Sequence, residues 1–134
     1  MKRSNIKDLL VAKSRYTFEE TVDLIVDRLE AAGFTIFCTI DHSDAAEKVG
    51  LKLKPTTVIV FGNPLNGTSL MERSETIGID LPSKILVTER EGTTIAFNPI
   101  LPVKRRHGFN VGEDATESFD SKVEKILDEL AVHP

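Results

Sequence analysis

Two histidines near carboxylates could carry acid–base chemistry. His42 follows Asp41 at the end of an apolar run, and His107 closes a basic run further along the chain. Imidazole changes its charge near neutral pH, so either histidine could act as a general acid or base, with Asp41 or Asp80 orienting it. Adjacent strand residues point to opposite faces, so Asp41 and His42 need not converge. A capping or structural role for His42 is the alternative.

The same residues could bind a metal if His107 folded back beside His42. Dedicated metal sites usually show close ligand spacings such as His-x3-His or Cys-x2-Cys. The chain contains neither spacing. We therefore expect no metal and no cofactor.

The segment 61–71 reads Phe-Gly-Asn-Pro-Leu-Asn-Gly-Thr-Ser-Leu-Met and joins an apolar strand to a helix start. Backbone amides without partners collect where a helix begins, so this segment could hold a small anion or a carbonyl. It has neither the Gly-Lys-Ser/Thr ending of a P-loop nor a dinucleotide fingerprint. The alternative is an ordinary turn, shaped by Gly and Asn. The candidate ligand-binding residues are His42, Asn63, Pro64, Gly67, Thr68 and His107.

The densest basic run is Lys104-Arg105-Arg106-His107. Cations near the end of a helix are favoured by the helix dipole, so a solvated helix end explains the run. Anion binding is the alternative, and it would add to the Thr68 site if the two segments meet.

The composition of the chain indicates which partners and which cellular compartment to expect. The chain has 134 residues, a net charge of -4 and a pI near 5.4, which argue against nucleic acid because phosphate binding needs a concentrated basic face. No apolar stretch approaches the roughly 18 residues of a membrane span. Cys38 is the single cysteine and lies in an apolar run, so we expect a buried thiol in a reducing, cytoplasmic location.

Helical periodicity predicts two long amphipathic helices. Thr17 and Glu20 have capping-box spacing and open the first helix, over 18–32. The second helix carries its apolar positions between Phe119 and Leu130. Ser69 has the same capping spacing with Glu72, which predicts a shorter helix that ends near residue 77.

Apolar runs predict the strands at 9–12, 34–40 and 57–61 and a hairpin over 84–97. The continuous run at 34–40 favours a central strand, and 51–54 alternates like a half-exposed one. The unit from Leu9 to Ile40 could be parallel, whereas the hairpin must be antiparallel. We therefore predict one α/β (α+β) domain over 1–134, a two-layer sandwich with a mixed sheet of about five strands and short connecting helices. Residues 110–114 are predicted to form a polar loop.

Four stretches together resemble the domain-of-unknown-function family 302. They are residues 34–42, ending Ile-Asp-His; residues 61–71; residues 79–84, beginning Ile-Asp-Leu-Pro; and residues 106–108, Arg-His-Gly. The resemblance covers nearly the whole chain and implies a compact α/β domain that often pairs as a homodimer, with no established activity. Asn98-Pro99 stands where the family pattern is Asn-Asp-Pro, so an Asp that could serve a ligand there is missing.

Three functions remain open. The first is a small-molecule- or anion-binding module, usually dimeric, without a recognisable catalytic set. The second is an enzyme that uses His42 or His107 as its general acid or base. The third is a structural or protein-partner module, which an exposed apolar patch would favour. We expect neither a nucleic-acid nor a membrane partner.

Overall fold

The computed structural model describes residues 1–110 and 116–133, and it contains six strands and five α-helices within them. The strands are β1 (Lys2–Arg3), β2 (Leu10–Lys13), β3 (Thr35–Asp41), β4 (Thr56–Gly62), β5 (Ser83–Arg90) and β6 (Gly92–Phe97). The helices are α1 (Phe18–Ala31), α2 (His42–Lys48), α3 (Pro64–Arg73), α4 (Ile100–Arg106) and α5 (Thr116–Leu130), with a short 3-10 helix at Ile77–Asp80. The loop predicted for 110–114 lies outside the described residues, apart from Asn110.

The strands form one sheet in the order β1-β2-β6-β5-β4-β3, and every pairing among them is antiparallel. The predicted two-layer α+β sandwich is confirmed, but the mixed sheet is wrong. β2 and β3 do run in the same direction, yet β6, β5 and β4 lie between them, so parallel strands never become neighbours. The strand count exceeds the predicted five because Lys2–Arg3 adds β1. Residues 51–54 form no strand.

The core lies between the sheet and the two long helices. α1 contributes the fully buried Ile25 and Leu29, and α5 contributes Val123 and Leu127. The sheet meets them with alternate residues of its three central strands, as the two-residue period of a strand requires. These sheet residues are Ile59, Phe61, Ile85, Val87, Ile95 and Phe97. The predicted capping box of α1 is present: the Glu20 amide donates to the Thr17 hydroxyl, and the Thr17 amide donates to the Glu20 carboxylate.

β3 is an edge strand, so its predicted central position is wrong. It pairs with β4 on one side and with no other described strand. A continuous apolar run is compatible with burial, but it does not say how many strands lie beside it. Cys38 is therefore exposed rather than buried. Phe37 falls at a register shift between Ile36 and Cys38, and its side chain is 48% exposed.

α3 begins earlier than the capping spacing of Ser69 predicts. Asn63 is the N-cap, and its Oδ1 accepts hydrogen bonds from the amides of Leu65 at 3.0 Å and Asn66 at 3.4 Å. Pro64 occupies the first helical position, where the absence of an N–H costs nothing. An Asn cap followed by Pro is a complete start signal, so Gly67, Thr68 and Ser69 lie inside the helix. None of the helices in the described part of the chain is long and apolar enough to span a membrane.

Candidate functional site

A cavity of about 330 Å³ lies where β4 ends and α3 begins. The chain leaves the sheet at Gly62, and α3 then runs along one side of the cavity. A Cβ on Gly62 would lie 3.5 Å from the Phe37 ring and 3.7 Å from Pro82 Cβ, so Phe37 and Pro82 approach the chain closely here. The cavity is thus enclosed by the edge strand, the first turns of α3 and the start of β5.

Most of the side chains that line the cavity are apolar. They come from five separate parts of the chain: Phe37, Leu70, Met71, Leu81, Pro82, Ile100 and Phe119. Phe119 also belongs to a ring cluster in the core, where it stacks on Phe61 at 5.9 Å and meets Phe34 edge-on at 5.2 Å. Because such ring contacts fix orientation, Phe119 forms a rigid wall.

Polar side chains also line the cavity. Ser83 is largely buried as a residue, at 8% exposure, but its hydroxyl is open to the cavity and makes no hydrogen bond to a described residue. Asn66, Thr68 and Ser69 add further polar side chains from α3. Arg73 is the one charged residue among the described lining residues, and its guanidinium lies 4.9 Å from the centre of the Phe109 ring.

The start of α3 does not leave backbone amides available for an anion. Asn63 Oδ1 accepts from two of them, and the Gly67 amide donates to the Asn63 carbonyl at 2.9 Å. Pro64 has no N–H to offer. Thr68 and Ser69 can therefore present their hydroxyls to the cavity, but not the free helix-start amides that the sequence suggested.

His42 lies away from this cavity. Asp41 pairs with Thr57, and Gly62 is roughly 16 Å further along β4 at 3.3 Å per residue. Asp41 does not orient His42 but caps α2, accepting from the Asp44 amide and the Ser43 hydroxyl at 2.9 Å each. The bond from the Asp44 amide is the main cause that lowers the pKa of Asp41. His42 itself is exposed at the first position of α2.

His107 is bonded at both ring nitrogens and lines no part of the cavity. Its Nε2 lies 2.5 Å from Asp80 Oδ2, and its Nδ1 lies 2.7 Å from the Thr76 hydroxyl. Arg106 Nη1 donates to both Asp80 oxygens, at 3.0 and 2.8 Å. The hydrogen bond with His107 is the main cause that lowers the pKa of Asp80. Since Leu81 and Pro82 line the cavity, these bonds fix the segment that precedes its wall.

The basic run around His107 does not form one patch. Lys104 is buried with its ammonium 5.4 Å from the Phe109 ring centre, Arg105 is exposed, and Arg106 binds Asp80. The side chains therefore serve different neighbours and do not join Thr68. Among the described residues, no group of three or more His, Cys, Asp or Glu side chains could hold a metal ion.

Asp120 of α5 positions α4 beside the cavity. Its two carboxylate oxygens accept from the Ile100 amide at 2.8 Å and the Leu101 amide at 3.1 Å, which are the first amides of α4. Burial raises the pKa of Asp120 to about 6, although these bonds oppose the shift. Ile100, which this cap holds in place, lines the cavity.

Four of the sequence-predicted site residues line the cavity together, namely Asn63, Pro64, Gly67 and Thr68. His42 and His107 do not. The sequence reasoning missed Phe37, Ser83, Ile100 and Phe119, which arrive from distant strands and helices. Only the pairing of strands and the packing of helices bring these residues to the cavity. Ser83, for example, reaches it because it pairs with Phe61 across the sheet.

A family model and a solved structure match this chain over most of its length. The family model described as Domain of unknown function DUF302 matches residues 10–130. A crystal structure of an uncharacterized conserved protein DUF302 from Bacillus stearothermophilus superposes with a TM-score of 0.82. Its sequence is 16% identical, and the match covers 92% of this chain and 98% of that one.

Part of the chain is also similar to proteins that are named as ion channels. Two proteins named Fluoride-specific ion channel FluC 1, from Brucella suis biovar 1 (strain 1330) and Brucella abortus biovar 1 (strain 9-941), are each 41% identical to this chain over 81 residues. That segment covers 60% of this chain but 32% and 30% of those proteins. The chain therefore spans about a third of the length of the curated relatives it matches.

Proposed function

The chain belongs to the DUF302 family, and from that premise we propose that it is a small-molecule-binding module whose ligand lies in the cavity between β4, α3 and β5. One observation carries this proposal: a cavity with mostly apolar walls also holds the hydroxyl of Ser83, which makes no hydrogen bond to a described residue. No side-chain oxygen in the described part of the chain is both fully buried and without a partner, so this hydroxyl is open to the cavity, where a ligand can bond to it. A volume of about 330 Å³ is near the lower end of the roughly 300–1,000 Å³ of ligand sites.

The lining defines the class of ligand. Apolar walls favour a small molecule with an apolar body, and the polar side chains of Asn66, Thr68 and Ser83 favour one uncharged polar group on it. Because Asn63 occupies the helix-start amides, the recognition we propose uses side chains rather than the helix end. A fully charged small anion finds less support. Burying a charge without close pairing is costly, and Arg73, the one cation among the described lining residues, already lies over the Phe109 ring.

Native mass spectrometry of the freshly purified protein tests this proposal. We expect a bound small mass that is lost when the same sample is denatured. Ser83→Leu should remove that mass because the larger side chain fills the cavity, and Ser83→Ala should weaken retention because it removes the hydroxyl. Ala45→Leu on the exposed surface of α2 is the matched control. Retention of the same mass by Ser83→Leu, in a folded protein, would contradict the proposed position of the ligand.

A defined probe complements that experiment. The uncharged fluorescent dye N-phenyl-1-naphthylamine has apolar rings, and its emission should rise on binding to the folded wild type and rise less with Ser83→Leu. Fluoride is a second probe, because the Brucella relatives are named for it. The cavity is mostly apolar, so we expect no rise in melting temperature with sodium fluoride over sodium chloride. A fluoride-specific rise would replace the small-molecule proposal with an anion-binding one.

We also propose that the protein is a homodimer joined through β3. The outer side of β3 has no partner among the described strands, and its residues 35–40 carry no charge or Pro that would protect the edge. The opposite edge strand, β1, is short and basic. Phe37 and Ile40 on β3 are exposed apolar residues, as are Val49 and Leu51 at the end of α2 and just after it. Two copies of such a strand can pair antiparallel about a two-fold axis.

Oligomeric state tests the dimer. Ile40→Lys adds a charge on β3 and should convert the dimer to a monomer in native mass spectrometry. Val132→Lys places the same charge on another exposed apolar position and is the matched control. A wild-type monomer at micromolar concentration would contradict the dimer.

Cys38 lies in the middle of β3, so the proposed dimer brings two copies of it to the same interface. We propose that this thiol stays reduced in the cytoplasm. An added oxidant should cross-link the two copies through Cys38.

A further inference from the structure

Beyond ligand binding, we propose that Thr76, His107 and Asp80 form a nucleophile, base and orienting carboxylate that accept an acyl group from reactive esters. The motivating geometry is a continuous chain of hydrogen bonds. Thr76 Oγ1 lies 2.7 Å from His107 Nδ1, and His107 Nε2 lies 2.5 Å from Asp80 Oδ2. A hydroxyl, an imidazole and a carboxylate in this order are the parts of a Ser-His-Asp-type site, which is defined by geometry and roles rather than by fold.

The partners of Asp80 fix the direction of each hydrogen bond. The hydrogen bond with His107 is the main cause that lowers the pKa of Asp80, and Arg106 adds to it by donating from Nη1 to both carboxylate oxygens, so Asp80 stays ionised and in place. An ionised carboxylate can only accept, so His107 donates to it through Nε2–H. In neutral imidazole the other nitrogen then carries no proton, and Nδ1 accepts the proton of the Thr76 hydroxyl. The hydroxyl is therefore bonded to a base that can remove its proton.

Exposure of the three residues fits these roles. Thr76 lies at the surface, immediately before the 3-10 helix, where an ester in solution can reach it. The His107 side chain is 8% exposed, so the base is shielded from bulk water. Met71 and Ile79 are exposed apolar residues near Gly78: Ile79 follows it in the chain, and Met71 Sδ lies 3.2 Å from where a Gly78 Cβ would be. This surface favours a short apolar acyl chain.

The acyl transfer balances without a further reactant. Thr76 Oγ1 attacks the ester carbonyl carbon while its proton moves to His107 Nδ1, and Asp80 stabilises the imidazolium. The carbon–oxygen bond to the leaving alcohol then breaks, and Nδ1–H gives its proton to that oxygen. The products are an alcohol and an acyl ester on Thr76. Water attacks the acyl ester in the same way and releases a carboxylic acid, which restores Thr76 and neutral His107.

The competing explanation is that the same bonds only join the 3-10 helix to α4. Acylation by p-nitrophenyl butyrate separates the two explanations. Intact wild-type protein should release p-nitrophenolate and carry one butyryl group on the peptide that contains Thr76, located by mass spectrometry. Thr76→Ala should lose this adduct and Thr76→Ser should keep it. Thr39→Ala, which removes an exposed hydroxyl from β3, should acylate at the wild-type rate.

Variants of the base and the carboxylate complete the test. His107→Gln should lower the acylation rate at Thr76 by about 100-fold or more, which is the usual contribution of a general base. His133→Gln is the matched control. Asp80 acts as a positioning residue, so Asp80→Asn should lower kcat with KM unchanged, and Asp80→Glu should restore part of the rate. Melting temperatures verify folding of each variant.

The results of these acylation experiments either support or overturn the proposed site. A Thr76 adduct whose rate depends on His107 supports the acyl-transfer site. A folded wild type with neither a Thr76 adduct nor Thr76-dependent release of p-nitrophenolate overturns it, as does an adduct that forms equally fast with His107→Gln. Labelling of lysines alone counts as no adduct, because surface amines react with this ester without help from neighbouring groups.

Discussion

At the scale of single residues, Asn63 combines two roles that could have been separate. Its side chain caps α3, and the residue also lines the cavity. The cap accepts hydrogen bonds from the backbone amides that could otherwise bind an anion. Thr68 and Ser69 then lie within the helix, and their hydroxyls can face the cavity. One residue therefore decides which chemistry the cavity can offer, and the sequence alone could not decide it because both Asn63 and Ser69 are good caps.

Gly67 is a residue whose replacement should stabilise the protein. It lies inside α3, its backbone angles suit any residue, and a Cβ would meet nothing within 4 Å. Gly67→Ala should raise the free energy of unfolding by about 0.5–1 kcal/mol, because alanine loses less conformational freedom in a helix. Urea unfolding measures the change. Gly33→Ala is the contrasting control: its φ of +93 disfavours alanine, so that variant should be less stable than wild type.

At the scale of elements, local signals identified α1 and failed at β3. The capping box and the apolar period of α1 are contained within the helix itself, so they suffice to predict it. The edge position of β3 depends on where β4, β5 and β6 pair, and no residue within 34–40 encodes that. The same limit explains why Ser83 and Phe119 were missed at the cavity, whereas the neighbouring residues Asn63 to Thr68 could be predicted as a group.

The start of α3 yields an element-scale prediction. Asn63→Ala removes the side-chain acceptor of two amides and should lower the free energy of unfolding by about 1 kcal/mol. Asn63→Asp keeps an acceptor and should lose much less. Asn5→Ala, on the exposed N-terminal segment, is the control for a surface Asn. Equal stability of Asn63→Ala and wild type in urea unfolding would mean that α3 does not depend on this cap.

The packing of α1 can be tested one residue at a time. Ile25 is fully buried against the sheet, whereas Val26, the next residue, is only half-buried. Ile25→Ala should therefore cost about 2–5 kcal/mol of stability, and Val26→Ala clearly less. The apolar period of the sequence includes both positions and does not distinguish them. Comparable losses in thermal unfolding would mean that α1 is rotated relative to the sheet.

At the scale of the whole molecule, two carboxylates act in opposite directions as the pH changes. Asp120 is buried beneath α4, and its pKa is raised from the ordinary 3.8 to about 6. Asp80 is held by His107 and Arg106, and its pKa is lowered. The folded state therefore binds a proton at Asp120 more tightly than the unfolded chain does, and at Asp80 less tightly. Stability should depend on pH with a maximum on the acidic side of neutrality.

The sign of each contribution gives the last prediction. As the pH falls from 7 through about 6, folded Asp120 takes up a proton before the unfolded chain does, so the free energy of unfolding should rise, by roughly 1–3 kcal/mol by pH 4. The contribution of Asp80 is present above its ordinary pKa and is lost as the pH falls further. Urea unfolding at pH 7, 6, 5 and 4 should show the rise in wild type and in Asp23→Asn, an exposed control on α1. Asp120→Asn cannot titrate, so the rise in the free energy of unfolding should be much smaller in that variant. An equal rise in Asp120→Asn would mean that another group causes it and that the α4 cap has no part in the pH response.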